Sequence, residues 1–208
     1  MRNGYPVSEE GSRGDRYDHR FTEAAAAGVD VHGEASFVQS LGVRSVLDGG
    51  CGTGRVGIEL RRRGLDVVGV DIDPDMLAVA QRKAPEMEWL LDDLATVELR
   101  EPDGSGVRLF DCVVLAGNLM IFLEPGTEGA VVRNMARHLR PGGLLVAGFQ
   151  LMAGGLDLPR YDRLAREAGL RLLERYATWD RRPWSGDGSY AVSVHRRPPP
   201  SPLTSPAP

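Results

Sequence analysis

Residues 46–57 read VLDGGCGTGRVG: a short apolar run, an acid, then glycines at 49, 50, 52, 54 and 57. The run "RSVLDG" at 44–49 has the length and composition of a buried strand, and "RVGIELRRRG" at 55–64 has a helical period that stops on Gly64. The stretch is therefore a strand, a tight glycine turn and a helix. The same alternation continues outward. "DVVGVD" at 66–71, "MEWLLD" at 87–92, "LFDCVVLAG" at 109–117 and "GLLVAGF" at 143–149 read as further strands. Between them, "PDMLAVAQRKA" opens with Pro74 after Asp73, and "EGAVVRNMARHLRPGG" runs as a helix to Pro141. A last helix is expected at about 158–168, followed by "LRLLERYATW" and "SYAVSVHRR", close enough in sequence to pair as an antiparallel hairpin. Strand, helix and strand in alternation imply right-handed crossovers. The expected fold is α/β: a doubly wound, seven-stranded mixed sheet with its last strand antiparallel and helices on both faces.

The chain has 208 residues, 42% of them hydrophobic, enough for one domain with a proper core. Residues 1–14 and the proline-rich 197–208 are expected to be disordered, leaving a single domain over 15–196 whose residues 15–43 form N-terminal cap helices. No run of eighteen apolar residues occurs, and the polar start lacks the apolar stretch of a secretory signal, so a cytoplasmic protein without membrane contact is expected. Cys51 and Cys112 sit in apolar or glycine-rich contexts and read as reduced thiols, with no metal site expected. A net charge of −4 gives no global attraction to nucleic acid.

Two ligands compete for the glycine turn. "GTGRVG" at 52–57 fits G-x-G-x-x-G, and Asp71 lies near the roughly 20-residue offset at which an acid takes a ribose. That reading gives a nicotinamide-dependent oxidoreductase. The overlapping pattern Asp48-x-Gly50-x-Gly52-x-Gly54 puts a carboxylate at the end of the first strand. A pyrophosphate placed there would be repelled, whereas the amino group and sulfonium of S-adenosylmethionine would be attracted. Unit charges a few ångströms apart are worth roughly 1 to 4 kcal/mol at surface-like dielectric, enough to choose between the ligands. A P-loop is excluded because Arg55 stands where Lys and then Ser or Thr are needed.

With Asp48, Gly50, Gly52, Gly54 and Asp71 in place, the chain resembles the class I S-adenosylmethionine-dependent methyltransferases, over about 44–150 and more loosely to 196. The resemblance implies a Rossmann-like fold and S-adenosyl-L-methionine as cofactor, with S-adenosyl-L-homocysteine as product. It assigns "LDGGCGTG" to the first motif, with Gly49 replacing a bulkier apolar residue, and "GVDIDPDML" to the second. Asp71 would then accept from both ribose hydroxyls, and Ile72 would lie against the adenine face. In "WLLDDLATV" the acid meeting the adenine amino group is taken as Asp93, with Asp92 its rival, and the Leu94 amide faces the ring. In "FDCVVLAGNLMIFL", Ala116, Gly117 and Asn118 would border the methionine part and the acceptor. The "LRPGG" turn would be structural.

For the acceptor, "AGNLM" lacks the Asn or Asp followed by Pro-Pro and an aromatic that resembles the pattern of enzymes methylating amide or base nitrogens. A small-molecule acceptor, methylated at oxygen by in-line displacement, is expected, with nucleic acid disfavoured. Upstream, Tyr17, His19, Arg20 and Phe21 form one cluster and Asp30, His32 and Glu34 another. Arg20 could hold the methionine carboxylate, as in relatives with a similar layout. His32 is the candidate base by its chemistry, although His32 and Glu34 equally suit a helix cap. Trp179, Arg181, Arg182 and Trp184 either shape an acceptor pocket or pack beneath a loop. A protein that binds S-adenosylmethionine without turning it over would show the same motifs.

Overall fold

A computed structural model describes residues 11–199. The structure contains a seven-stranded sheet. The chain divides after Leu94 into two compact units.

The first unit contains α1 (Arg13–Ala26), α2 (Gly33–Gln39), β1 (Ser45–Gly49), α3 (Arg55–Arg62), β2 (Asp66–Asp71), α4 (Pro74–Lys83) and β3 (Glu88–Leu91). β2 pairs in parallel with both β1 and β3. All five residues of β1 are buried, and since successive side chains alternate between faces, both faces of the strand are covered. Asp73 caps α4 by accepting from the amides of Asp75 and Met76, with Pro74 following as the first helical residue. The glycine inside β2 has a packing cause. A Cβ on Gly69 would lie 2.3 Å from Cε3 of Trp89, whose ring covers the strand there, and the Trp89 indole donates to the Ala84 carbonyl at 2.8 Å. Gly69→Ala must displace that ring and should cost about 2–3 kcal/mol in urea unfolding; a variant as stable as the parent would contradict this packing.

Helix α1 begins earlier than expected. Ser12 and Asp15 form a reciprocal capping box, so residues 12–14, assigned from sequence to a disordered segment, open a helix. The helix lies on α4, with ion pairs Arg13–Asp73, Asp15–Arg82 and Asp18–Lys83. Its backbone comes so close that a Cβ on Gly14 would sit 2.4 Å from the Asp75 carbonyl oxygen.

The second unit contains β4 (Phe110–Leu115), α5 (Leu119–Phe122), α6 (Glu128–Arg137), β5 (Leu139–Gln150), α7 (Leu158–Glu167), β6 (Arg171–Tyr176) and β7 (Tyr190–Arg196). β4 and β5 are parallel, and β7 runs antiparallel to both β5 and β6, as the hairpin reading requires. Two boundaries differ from expectation. Helix α6 stops at Arg137 rather than running to Pro141, because Leu139 already pairs with Phe110 of β4. The next matched pair is Cys112 with Leu144, so residues 140–143 bulge from the ladder, where Pro141 has no amide hydrogen to give and Gly142 takes φ +85°. Arg197 closes the bulge: its carbonyl accepts from the Gly142 amide and its amide donates to the Gly143 carbonyl, both at 2.8 Å. Arg197 thus belongs to the fold and not to the tail. Of the two ends assigned to disorder, residues 1–10 and 200–208 lie outside the described residues.

Candidate active site

The turn after β1 is built by left-handed glycines at alternate positions, with φ of +70° at Gly50, +54° at Gly52 and +78° at Gly54. The end of β2 supports it: the amides of Gly50 and Cys51 donate to the Val70 carbonyl, and the Gly52 amide donates to Oδ2 of Asp71 at 2.7 Å. Gly49 is a buried residue of β1. Directly before it, Asp48 is 1% exposed and its Oδ2 is a buried atom with no hydrogen-bond partner. Burial pushes the Asp48 carboxyl from 3.8 up to about 7, against the pull of the Gly57 amide and the Arg55 guanidinium; the charges of Asp71 and Glu34 add to the rise. Gly57 gives the carboxyl its room, since a Cβ there would lie 3.0 Å from Oδ2. A buried, unpartnered carboxylate oxygen at the mouth of a glycine turn is a receptor for a cationic donor.

Asp71 closes β2. Its Oδ2 takes the Gly52 amide and its Oδ1 takes the Asp73 amide at 2.9 Å, and burial raises its carboxyl above the ordinary value. Each oxygen keeps a second lone pair, so the side chain can brace the turn and still accept from a pair of hydroxyls. Ile72, next in sequence, is 68% exposed, a large apolar side chain open to a ring. At the end of β3 the Asp92 amide donates to the Asp71 carbonyl, and Oδ1 of Asp92 accepts from the Asp93 amide at 2.7 Å. The Asp92 carboxylate is thus turned onto its own neighbour, Asp93 is exposed, and Leu94 is buried.

One residue of this unit escaped sequence reasoning except as a mismatch to the P-loop. Arg55 forks onto Glu34, with Nη1–Oε2 at 2.8 Å and Nη2–Oε1 at 2.5 Å, and stands 4.5 Å over the Phe21 ring. Both side chains of the pair are about seven-eighths buried, at 13% and 14% exposed, which ties α2 to the helix that begins at the glycine turn. Glu34 is therefore a partner of Arg55 rather than a cap. His32 occupies the N-cap position of α2 without a side-chain capping bond, its amide donates to Asp30, and its Nδ1 is buried without a partner. Arg20 is exposed and stacks 4.7 Å from the Tyr17 ring centroid.

In the second unit, Ala116 is buried, and Gly117 and Asn118 are both left-handed after β4, which turns the chain into the single-turn α5. Oδ1 of Asn118 accepts from the Gln150 amide at 2.9 Å and so joins the carboxyl ends of β4 and β5. The segments that follow these two ends enclose a pocket of about 120 Å³, with apolar walls from Met120, Leu123, Met152 and Leu156 and a polar side made by Glu128 and Arg160. The 179–184 segment packs on its own unit. The Trp179 indole donates to the Tyr190 hydroxyl and covers Gly148, the Trp184 ring covers Gly188, Arg182 pairs with Asp180, and Arg181 lies 5.7 Å from the Tyr176 ring. Among the described residues no cluster of His, Cys, Asp and Glu could hold a metal ion, and no helix is long and apolar enough to cross a membrane.

Residues 46–143 match the family model of a methyltransferase domain. The structure is similar to that of a TehB-like S-adenosylmethionine-dependent methyltransferase from Corynebacterium glutamicum, with a TM-score of 0.79 and 33% identity over 88% of this chain and 97% of that one. A putative methyltransferase of Geobacillus sp. (strain WCH70) is 33% identical over 50% of this chain and 42% of its own length. The dTDP-4-amino-2,3,4,6-tetradeoxy-D-glucose N,N-dimethyltransferase of Saccharopolyspora spinosa is 32% identical over 50% of this chain and 39% of its own length. The chain spans about two fifths of the length of these curated relatives. It belongs to the class I S-adenosylmethionine-dependent methyltransferases. It is an enzyme that takes S-adenosyl-L-methionine as cofactor, and the nicotinamide reading of the glycine turn is set aside. The residues present fit that cofactor, because the orphaned Oδ2 of Asp48 asks for the kind of cation that S-adenosylmethionine carries and a pyrophosphate lacks.

Proposed function

We propose that this methyltransferase acts on a small molecule and delivers the methyl group to oxygen. The observation that carries the size class is the pocket of about 120 Å³ beyond the carboxyl ends of β4 and β5, the end of an open α/β sheet at which ligands bind. It has room for a ring or a short chain. The amino-sugar methyltransferase among the relatives supports the same size class without fixing the atom. Oxygen is favoured by "AGNLM" at 116–120, which lacks the proline-rich signature expected for amide or base nitrogens.

When bound, S-adenosylmethionine supplies an electrophilic methyl on a sulfonium. The chain's own residues hold and orient. Asp48 receives the amino group, Arg20 the carboxylate, and Asp71 the ribose hydroxyls, while Gly49, Gly50, Gly52 and Gly54 keep the turn clear of side chains. Ile72 covers the adenine, with Asp93 at its amino group and the Leu94 amide beside its ring. Ala116 and Asn118 border the methionine part. Alignment supplies much of the rate of such a displacement, so the proposal needs no protein base. His32, at the N-cap position of α2, is not assigned that role.

The test incubates the full chain and S-adenosylmethionine with hydroxyl- and amine-bearing small molecules, nucleotide-linked amino sugars included, and with total RNA. Release of S-adenosylhomocysteine is followed and the methyl is located by mass spectrometry. A methyl on a small-molecule oxygen is the expected result. Methylation of RNA alone would overturn the size class, and a methyl on nitrogen would overturn the choice of atom.

A further inference from the structure

We propose that Glu128 is the polar anchor of the acceptor pocket and that the acceptor carries a protonated amine; this rests on the small-molecule reading above. Glu128 opens α6 and is 6% exposed, yet it lines the pocket. Both of its hydrogen bonds fall on one oxygen: Oε2 takes the Gly126 amide at 2.9 Å and Nη2 of Arg160 at 3.0 Å. A carboxylate has acceptor room for about four donors, so Oε1 is left for a ligand. Glu128 lies in the first turn of α6, at the positive end of the aligned peptide dipoles.

Arg160 meets this charge on Oε2 alone, and its side chain is 40% exposed against 8% for Glu128, so the guanidinium keeps a side toward water while the carboxylate is held inside the pocket wall. Of the other lining residues, Met120, Leu123, Met152 and Leu156 offer aliphatic or thioether surface to a ring or chain, while Gly154 and Gly155 present backbone. An acceptor with a carboxylate in the same place would meet Glu128 at close range and be repelled. The amine is a handle, distinct from the oxygen that receives the methyl.

The test uses three probes of one shape that fit the volume: cyclohexylamine, cyclohexanol and cyclohexanecarboxylate. Each is titrated at pH 7 into the full chain saturated with S-adenosylhomocysteine and followed by chemical-shift changes of the methionine methyls. The ammonium should bind about tenfold more tightly than either of the others, the scale of one partly buried charge pair. Glu128→Gln keeps the shape and an acceptor for the Gly126 amide but should erase that preference, with melting temperature and S-adenosylhomocysteine affinity unchanged. Arg160→Gln should keep the preference or raise it. Equal binding of the three probes, a carboxylate that binds best, a preference that survives Glu128→Gln, or equal losses in both variants would each overturn the proposal. Turnover separates the two readings. A chain that methylates small molecules without preferring the ammonium loses only the anchor, whereas one that prefers the ammonium but methylates only a polymer loses the small-acceptor reading.

Discussion

Replacing Asp71 with alanine should lower the affinity for S-adenosylmethionine by at least about a hundredfold, the loss of two hydrogen bonds to a charged group at about 1.5–3 kcal/mol each. The same carboxylate holds the Gly52 amide at 2.7 Å and the Asp73 amide at 2.9 Å, so the substitution also loosens the turn that the cofactor needs. Its cost to the apoprotein should be about 1–3 kcal/mol, because those amides can reach water once the side chain is gone. Calorimetric titration with S-adenosylhomocysteine, beside a urea melt, measures both effects. An affinity equal to that of the parent would remove Asp71 from the ribose.

Asp48→Asn should move stability and binding in opposite directions. The folded carboxyl titrates at about 7 against 3.8 when unfolded, so between these values the native chain binds more protons than the unfolded one. Stability contributed by the protonated group is fully present below pH 4 and is lost as pH rises to about 7. At pH 8 the apoprotein therefore carries a buried, ionised carboxylate, and the amide should relieve it by about 2–4 kcal/mol. The same change takes away the counter-charge of the cofactor's amino group and should weaken S-adenosylmethionine about tenfold or more. In the parent, cofactor affinity should rise as pH passes from 6 through about 7 and Asp48 ionises. A variant that binds the cofactor as well as the parent at pH 8 would exclude Asp48 from the amino group.

What could be read from sequence follows the range of the forces involved. β1, β2 and β3 lie within a residue of their expected ends because each is an apolar run closed by Asp or Gly. The end of α6 was not legible: the helical period continues through His138 to Arg140, and only the pairing of Leu139 with Phe110, a contact 29 residues away, stops it. α5 is four residues long, too short to show a period. The site divides in the same way. Asp48 and Asp71 were found because each ends a strand beside the glycine turn, whereas the choice between Asp92 and Asp93 turns on where a carboxylate points. Arg55 pairs with a glutamate 21 residues upstream, and no local pattern announces it. Glu128 reads in sequence as an ordinary acid at a helix start. Its burial beside a pocket is a tertiary fact.

The way α1 is held has a consequence for how the first unit opens. Its ion pairs to α4 join side chains that are mostly part-exposed, and such pairs contribute about 0–1 kcal/mol each, whereas β1 is buried throughout and β2 at every residue after its first. Local opening free energies in a fold range from near zero up to the global value, and the helix belongs to the low end. Its amides should exchange with solvent deuterium well before those of β1 and β2, and rising salt should widen that gap.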